Sequence, residues 1–226
     1  ALGVLCDRQA VPALTLFIKN KSYSSEAAWS LGHIGDSSAV PALARALTEQ
    51  TNYNVLAIAF ALGEIGDTNA VSALQSMITT NKTLDVFASA CTLTLMGQTQ
   101  GLPVLAKYTE PKINDDWERF AVCMSAIGSK GPAASNLLDT LSRDPEPAVS
   151  NLACRVLAGE GAAALIRTLE ESVRDYRHYA VRALIFFNEP KALPALTKAS
   201  RDDDGEVRSA ARIAVRRIKR KGLEGK

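Results

Sequence analysis

The sequence predicts an all-α fold, a right-handed α-solenoid of stacked antiparallel helix pairs built from about seven short repeats. Three observations predict it. Trp29 to Leu43 reads WSLGHIGDSSAVPAL and Phe60 to Leu74 reads FALGEIGDTNAVSAL, so one sentence recurs with its Gly-Asp pairs 31 residues apart. Apolar residues inside each copy keep helical spacing. Glycine, aspartate and proline fall at fixed places between the apolar runs, where helices stop and start.

The copies follow in order. Asp7, Ala10, Val11, Pro12 and Leu14 stand 29 residues before Asp36, Ala39, Val40, Pro41 and Leu43, a faint first copy. The two strong copies come next. Gly97 lies 31 after Gly66, with Gln98 in the aspartate place and Leu102-Pro103-Val104-Leu105 following; Gly128 and Gly159 continue the step of 31. A sixth copy has Asn188-Glu189 for Gly-Asp, then Ala192 to Leu196. The stretch from Glu206 to Ile218 matches only the first half of a unit. The whole chain, 1–226, reads as one solenoid that begins mid-repeat, so a segment is expected ahead of Ala1, with 205–221 as a terminal basic capping helix.

Each unit reads as two helices joined at a tight corner. Val55, Ile58, Ala59 and Leu62 make one stripe of the first helix. Gly66 supplies the left-handed backbone that ends it, and Asp67, like Asp36, caps the next helix by accepting from its free amides. Pro41, Pro103 and Pro194 occupy the first turn of second helices, where a missing N–H costs little. Val40, Leu43, Ala44 and Leu47 form the second stripe. Neither stripe can be buried within one unit, so neighbours must stack.

The pattern ALGxIGDxxAVPAL resembles the short HEAT-like repeats of the phycobilin lyases, most closely over Ala28–Leu47 and Ala59–Leu74. Around Gly128 and Gly159 the corner departs from it, with Ser129-Lys130-Gly131-Pro132 and Glu160-Gly161 in place of the aspartate turn. The resemblance implies an α-helical binding scaffold. It also implies two enzyme-linked alternatives: a bilin-lyase-like subunit that holds a chromophore and its acceptor protein, and a nucleic-acid-binding, DNA-glycosylase-like protein. Deoxyhypusine hydroxylase is built on similar repeats and holds iron with His-Glu pairs, but this chain has no His-Glu dipeptide.

Composition narrows the choice. At 226 residues and 47% hydrophobic the chain can bury a core spread along a stack. No run approaches the roughly 18–20 apolar residues of a membrane span. A net charge of +2 is low for a protein wrapping a phosphate backbone, so nucleic acid is disfavoured as a partner. The four cysteines have no CxxC spacing and there are two histidines, so neither a metal site nor any other cofactor is expected. Trp29, Phe60, Cys91 and Val122 are spaced by 31, with Cys154 one residue off the next place. Cys91 and Cys154 are accordingly expected in the seam between repeats, and unpaired thiols favour a cytoplasmic setting.

Catalytic constellations are thin, and no catalytic residue is assigned. His33 and Glu64 share a repeat position and read as a solvated polar pair across a corner. The cluster Arg174 to Tyr179, with His178, reads as half-buried packing at a junction. Asp115-Asp116-Trp117-Glu118-Arg119 could stack a base, but Asp115 also falls at a helix start and Trp117 at a seam. Asp202-Asp203-Asp204-Gly205 reads as an exposed turn and N-cap, with too few ligands for calcium.

What remains is surface. Two residues past the key leucine of each second helix stand Arg45, Ser76, Lys107, Asp139, Arg167 and Lys198, a row expected to line the concave groove. Four of these six are basic, which suits a protein partner with an acidic surface. Arg212, Arg216, Arg217, Lys219 and Arg220 give the last helix a basic face, a second candidate contact surface. The reading is a non-catalytic protein-binding scaffold, with the bilin-lyase-like subunit as its alternative.

Overall fold

The computed structural model describes residues 7–20, 22–49, 55–80, 83–109, 116–127, 131–172, 174–187 and 189–224. Among them every regular element is a helix, as the repeat predicts. The backbone divides into two compact units, Ala1–Val104 and Leu105–Lys226.

The N-terminal unit contains α1 (Val11–Phe17), α2 (Ser24–Ile34), α3 (Val40–Thr48), α4 (Val55–Ile65), α5 (Val71–Met77), α6 (Thr83–Leu95) and most of α7 (Leu102–Leu105). First helices pack on first helices, α2 on α4 and α4 on α6, and the second helix α3 packs on α5. The corners follow the sequence closely. Gly35 and Gly66 adopt left-handed φ values of 67° and 75°, which a glycine reaches without a Cβ penalty. Asp36 and Asp67 then accept from the amides of Ser38 and Asn69, each at 2.9 Å, and Asp7 accepts from Gln9 in the same way. What they cap is a single 3₁₀ turn that leads into the second helix. Gln98 has the same extended backbone at the third corner but makes no capping bond.

The N-terminal core is a column of small and branched residues, among them Ala28, Leu31, Ile58, Leu62, Leu43 and Leu74, all essentially inaccessible. The second-helix stripe is Val40, Leu43, Ala46 and Leu47. Ala46 takes the place expected of Ala44, because the buried arc is centred between Leu43 and Leu47.

The C-terminal unit contains α8 (Asp116–Ile127), α9 (Pro132–Leu141), α10 (Pro147–Leu157), α11 (Ala162–Glu171), α12 (Arg174–Phe187), α13 (Leu193–Ala199) and α14 (Gly205–Glu224). Here α8 packs on α10, α11 on α12, and α14 against both α12 and α13. Glu189 replaces aspartate at the sixth corner and still caps, accepting from the Lys191 amide at 3.1 Å. Asp204 caps α14 by accepting from Glu206 and Val207. Carboxylate–guanidinium pairs tie first helices to loops in this unit, the first of them buried and the second part-buried. Arg119 on α8 meets Asp144 at 2.6 Å, and Arg177 on α12 meets Asp202 at 3.1 Å. Both pairs span 25 residues, linking a first helix to the loop ahead of the next first helix.

Candidate partner-binding surface

The second helices bury their leucine stripe and turn the residue two past the key leucine outward. Arg45, Ser76, Lys107, Asp139, Arg167 and Lys198 are all exposed, so the periodicity located a surface position at every level. Arg45 and Ser76 lie on α3 and α5 of the N-terminal unit; in the C-terminal unit Asp139, Arg167 and Lys198 lie on α9, α11 and α13, and Lys107 in the 3₁₀ turn Ala106–Tyr108 that follows α7. Their charges are partly spent locally. Arg167 Nε lies 3.4 Å from Glu160 Oε2, and Asp139 accepts twice from Arg143 Nη2, at 3.1 and 3.0 Å.

The terminal helix is less uniform than its sequence. Arg212, Arg216 and Lys219 are exposed and Arg220 is half-buried, but Arg217 is only 1% exposed. Arg217 therefore does not belong to a contact surface. It falls three residues after Ala214 and ten after Val207, on the stripe that docks α14, whereas Val215 is turned partly outward.

The other polar candidates also find places. His33 Nδ1 lies 3.5 Å from Glu64 Oε2, which confirms the predicted meeting across repeats. The pair is not solvated, however: Glu64 is 2% exposed. Gly32 explains the burial, since a Cβ there would come within 2.9 Å of both Ala61 Cα and Glu64 Oε2. The bare glycine lets the two helices close over the carboxylate, with the imidazole of His33 beside it. Trp29 stacks on Phe60 beside it, with ring centroids 6.3 Å apart.

In the C-terminal unit His178 Nδ1 is 3.6 Å from Glu206 Oε2, and its ring meets Tyr179 edge-on. Tyr176 is buried, as junction packing requires. Arg177 Nη2 lies 3.1 Å from Oδ1 of both Asp202 and Asp203, which ties the acidic turn to α12. Hydrogen bonding from the Asp202 side chain, then from the Asp204 amide, holds the Asp203 carboxyl below its ordinary value. Asp115 lies outside the described residues, as do the side chains of Trp117 and Glu118. Arg119, from the same cluster, is in the core.

The cysteines divide. Cys91 and Cys123 are buried and Cys154 is exposed. The expectation for Cys154 fails because the column runs 91, 122, 153: Ala153 fills the buried place and Cys154, one residue on, turns outward. Burial pushes the Cys123 thiol far above its ordinary value, with the charge of Asp144 and then Cys154 adding to the effect. Among the described residues, no group of three or more His, Cys, Asp or Glu could hold a metal ion. Nor is any helix among them long and apolar enough to cross a membrane.

The buried Arg119–Asp144 pair was missed in the sequence. Its signal was present, an arginine followed 25 residues later by an aspartate in the loop ahead of the next first helix, and the same spacing recurs at Arg177 and Asp202.

Comparison with known proteins places these features. A family model described as HEAT repeats matches residues 134–216, and one described as PBS lyase HEAT-like repeat matches 25–49 and 56–80. Together they take in more than half of the chain. None of the curated proteins is similar enough in sequence to match. Among solved structures, a chain from the complex of CpcE and CpcF of phycocyanin lyase from Nostoc sp. PCC7120 superposes with a TM-score of 0.57 at 20% identity, over 93% of this chain and 92% of that one. Human deoxyhypusine hydroxylase in complex with glycerol gives 0.42 at 17% identity, over 97% and 88%. An engineered protein gives 0.32 at 19% identity, over 93% and 96%.

Proposed function

Because this chain belongs to the HEAT-repeat proteins with repeats of the PBS lyase type, we propose that it is a lyase-like binding subunit. In this reading it holds a protein partner on the exposed side of its second helices, and the assembly handles an open-chain tetrapyrrole, a bilin. The observation that carries the reading is the extent of the likeness to a chain of a phycocyanin lyase complex, which runs over nearly the full length of both chains. The solved chain was found with a protein partner. The present chain offers a matching means of contact, since its repeat places an outward side chain at every level of the second helices.

The role of the residues in this reading is binding and orientation. Lys107, just past α7, and Arg167 and Lys198, on α11 and α13, supply positive charge, which speeds encounter with an acidic partner and sets its register. Behind Arg167 and Lys198, α11 and α13 bury Leu165, Leu169 and Leu196, so these side chains stand on packed helices.

A plainer reading, a protein-binding scaffold with no chromophore, rests on the row alone. Affinity capture with the tagged chain, followed by association kinetics of the captured protein, tests what the two readings share. Reversing Lys107 and Arg167 to glutamate should slow association and flatten its salt dependence. Reversing Arg216 and Lys219 on the terminal helix is the matched control. If the control abolishes binding and the row does not, the second-helix face is not the contact.

A further inference from the structure

A groove of about 580 Å³ opens in the C-terminal unit at the ends of α11 and α13. Leu169, Ala195 and Ala199 give it apolar wall, and Lys198 and Arg201 stand beside them on the α13 side.

The charges around it are not equivalent. Arg177 is engaged by Asp202 and Asp203, and Asp202 in addition accepts from the Asp204 amide. Lys198 and Arg201 are exposed, and among the described residues neither meets a carboxylate. Arg212 on α14 donates its Nε to Ser200 O at 3.3 Å, which brings a third cation beside the residue preceding Arg201. A helix C-terminus favours a nearby cation through its dipole. Lys198 in the last turn of α13 meets that need, and Arg201 adds a second cation to the groove's lining. Glu170, on the α11 side, is the acidic residue of the groove that no cation occupies among the described residues.

We infer that this groove takes an acidic segment of a partner protein. An apolar side chain of that segment sits against Leu169, Ala195 and Ala199, and flanking carboxylates meet Lys198, Arg201 and Arg212. Apolar walls supply the anchor and the cations supply orientation and rate. The inference rests on the protein-binding reading above and deepens it at one place, since Lys198 belongs both to the row and to the groove.

The test uses the full chain and a fluorescein-labelled peptide of alternating glutamate and leucine, followed by anisotropy at low salt. A lysine–leucine peptide of the same length is the comparison. The wild-type chain should bind the glutamate peptide in preference to the lysine peptide. K198E/R201E should weaken binding by roughly tenfold or more. K19E/K191E, with the same charge change on exposed residues that do not line the groove, should leave it nearly unchanged. Circular dichroism checks that both variants keep their helices. Failure of the wild-type chain to bind the glutamate peptide overturns the inference, and so does an equal loss in both variants, which would mean diffuse attraction. If the peptide fails while capture of the partner still depends on Lys107 and Arg167, the groove is wrong and the binding face stands. If both fail, the protein-binding reading itself falls.

Discussion

Arg119 and Asp144 meet in the interior of the C-terminal unit, Nε to Oδ2 at 2.6 Å, with the two side chains 2% and 1% exposed. Asp144 also accepts from the Glu146 amide at 2.9 Å, so one carboxylate fixes both the guanidinium and the loop that starts α10. Removing one partner of a buried pair strands the other charge. D144A should therefore cost about 3–5 kcal/mol. The double change R119M/D144L should recover much of that loss, because it removes both charges and keeps apolar volume. Chemical denaturation of the single and double variants checks this; a D144A variant as stable as wild type would mean the pair holds nothing together.

The corners give a prediction that runs in both directions. D67A removes the bond to the Asn69 amide and should cost about 0.5–2 kcal/mol. Q98D should gain a comparable amount, because Gln98 has the backbone of a capping residue, φ −86° and ψ 124°, and makes no capping bond. Melting temperatures of the two variants, measured against wild type, should move oppositely.

Cysteine labelling should separate the thiols. A maleimide should modify Cys154 in the native protein, whereas Cys91 and Cys123 should react only after denaturation, since both are buried and burial holds the Cys123 thiol protonated. Mass spectrometry of labelled peptides identifies the sites. Rapid native labelling of Cys91 would remove it from the seam between repeats.

Acid titration should report the contact between α10 and α11. The hydrogen bond and then the charge of Arg155, with Nη2 2.7 Å from Glu171 Oε2, lower the Glu171 pKa from its ordinary 4.5. Because the folded value lies below the unfolded one, the contribution to stability is present above about pH 4.5 and is lost as pH falls through the folded value. Carboxyl NMR shifts should place the Glu171 midpoint below 4.5, and R155A should raise it towards that value. The pair is exposed, so the accompanying change in stability should be small.

The repeat made most of the fold legible. Gly35, Asp36, Gly66 and Asp67 announced the corners by chemistry that acts within three or four residues, and a period of 31 carried the register along the chain. The same register found an exposed position on α3, α5, α9, α11 and α13 and in the turn after α7. Local rules could not fix the depth of individual side chains. Cys154 and Arg217 were each misplaced because a shift of one residue turns a helical side chain by about 100°. Glu64 was misread for a different reason. Its burial depends on the absence of a side chain at Gly32, a residue of the neighbouring repeat, and sequence spacing does not report how closely two helices approach. The groove beside Lys198 also includes Arg201, which lies outside the repeated row, and Arg212 reaches the neighbouring Ser200 carbonyl only through the packing of α13 and α14.

The visible absorption spectrum of a free bilin titrated with the purified chain, alone and together with its captured protein partner, tests the central claim most directly. A saturable shift and sharpening of the long-wavelength band is expected when chain and partner are both present, because an assembly that handles a bilin must hold it in one conformation. A spectrum unchanged at saturating protein, under conditions where chain and partner bind each other, would contradict the lyase-like role.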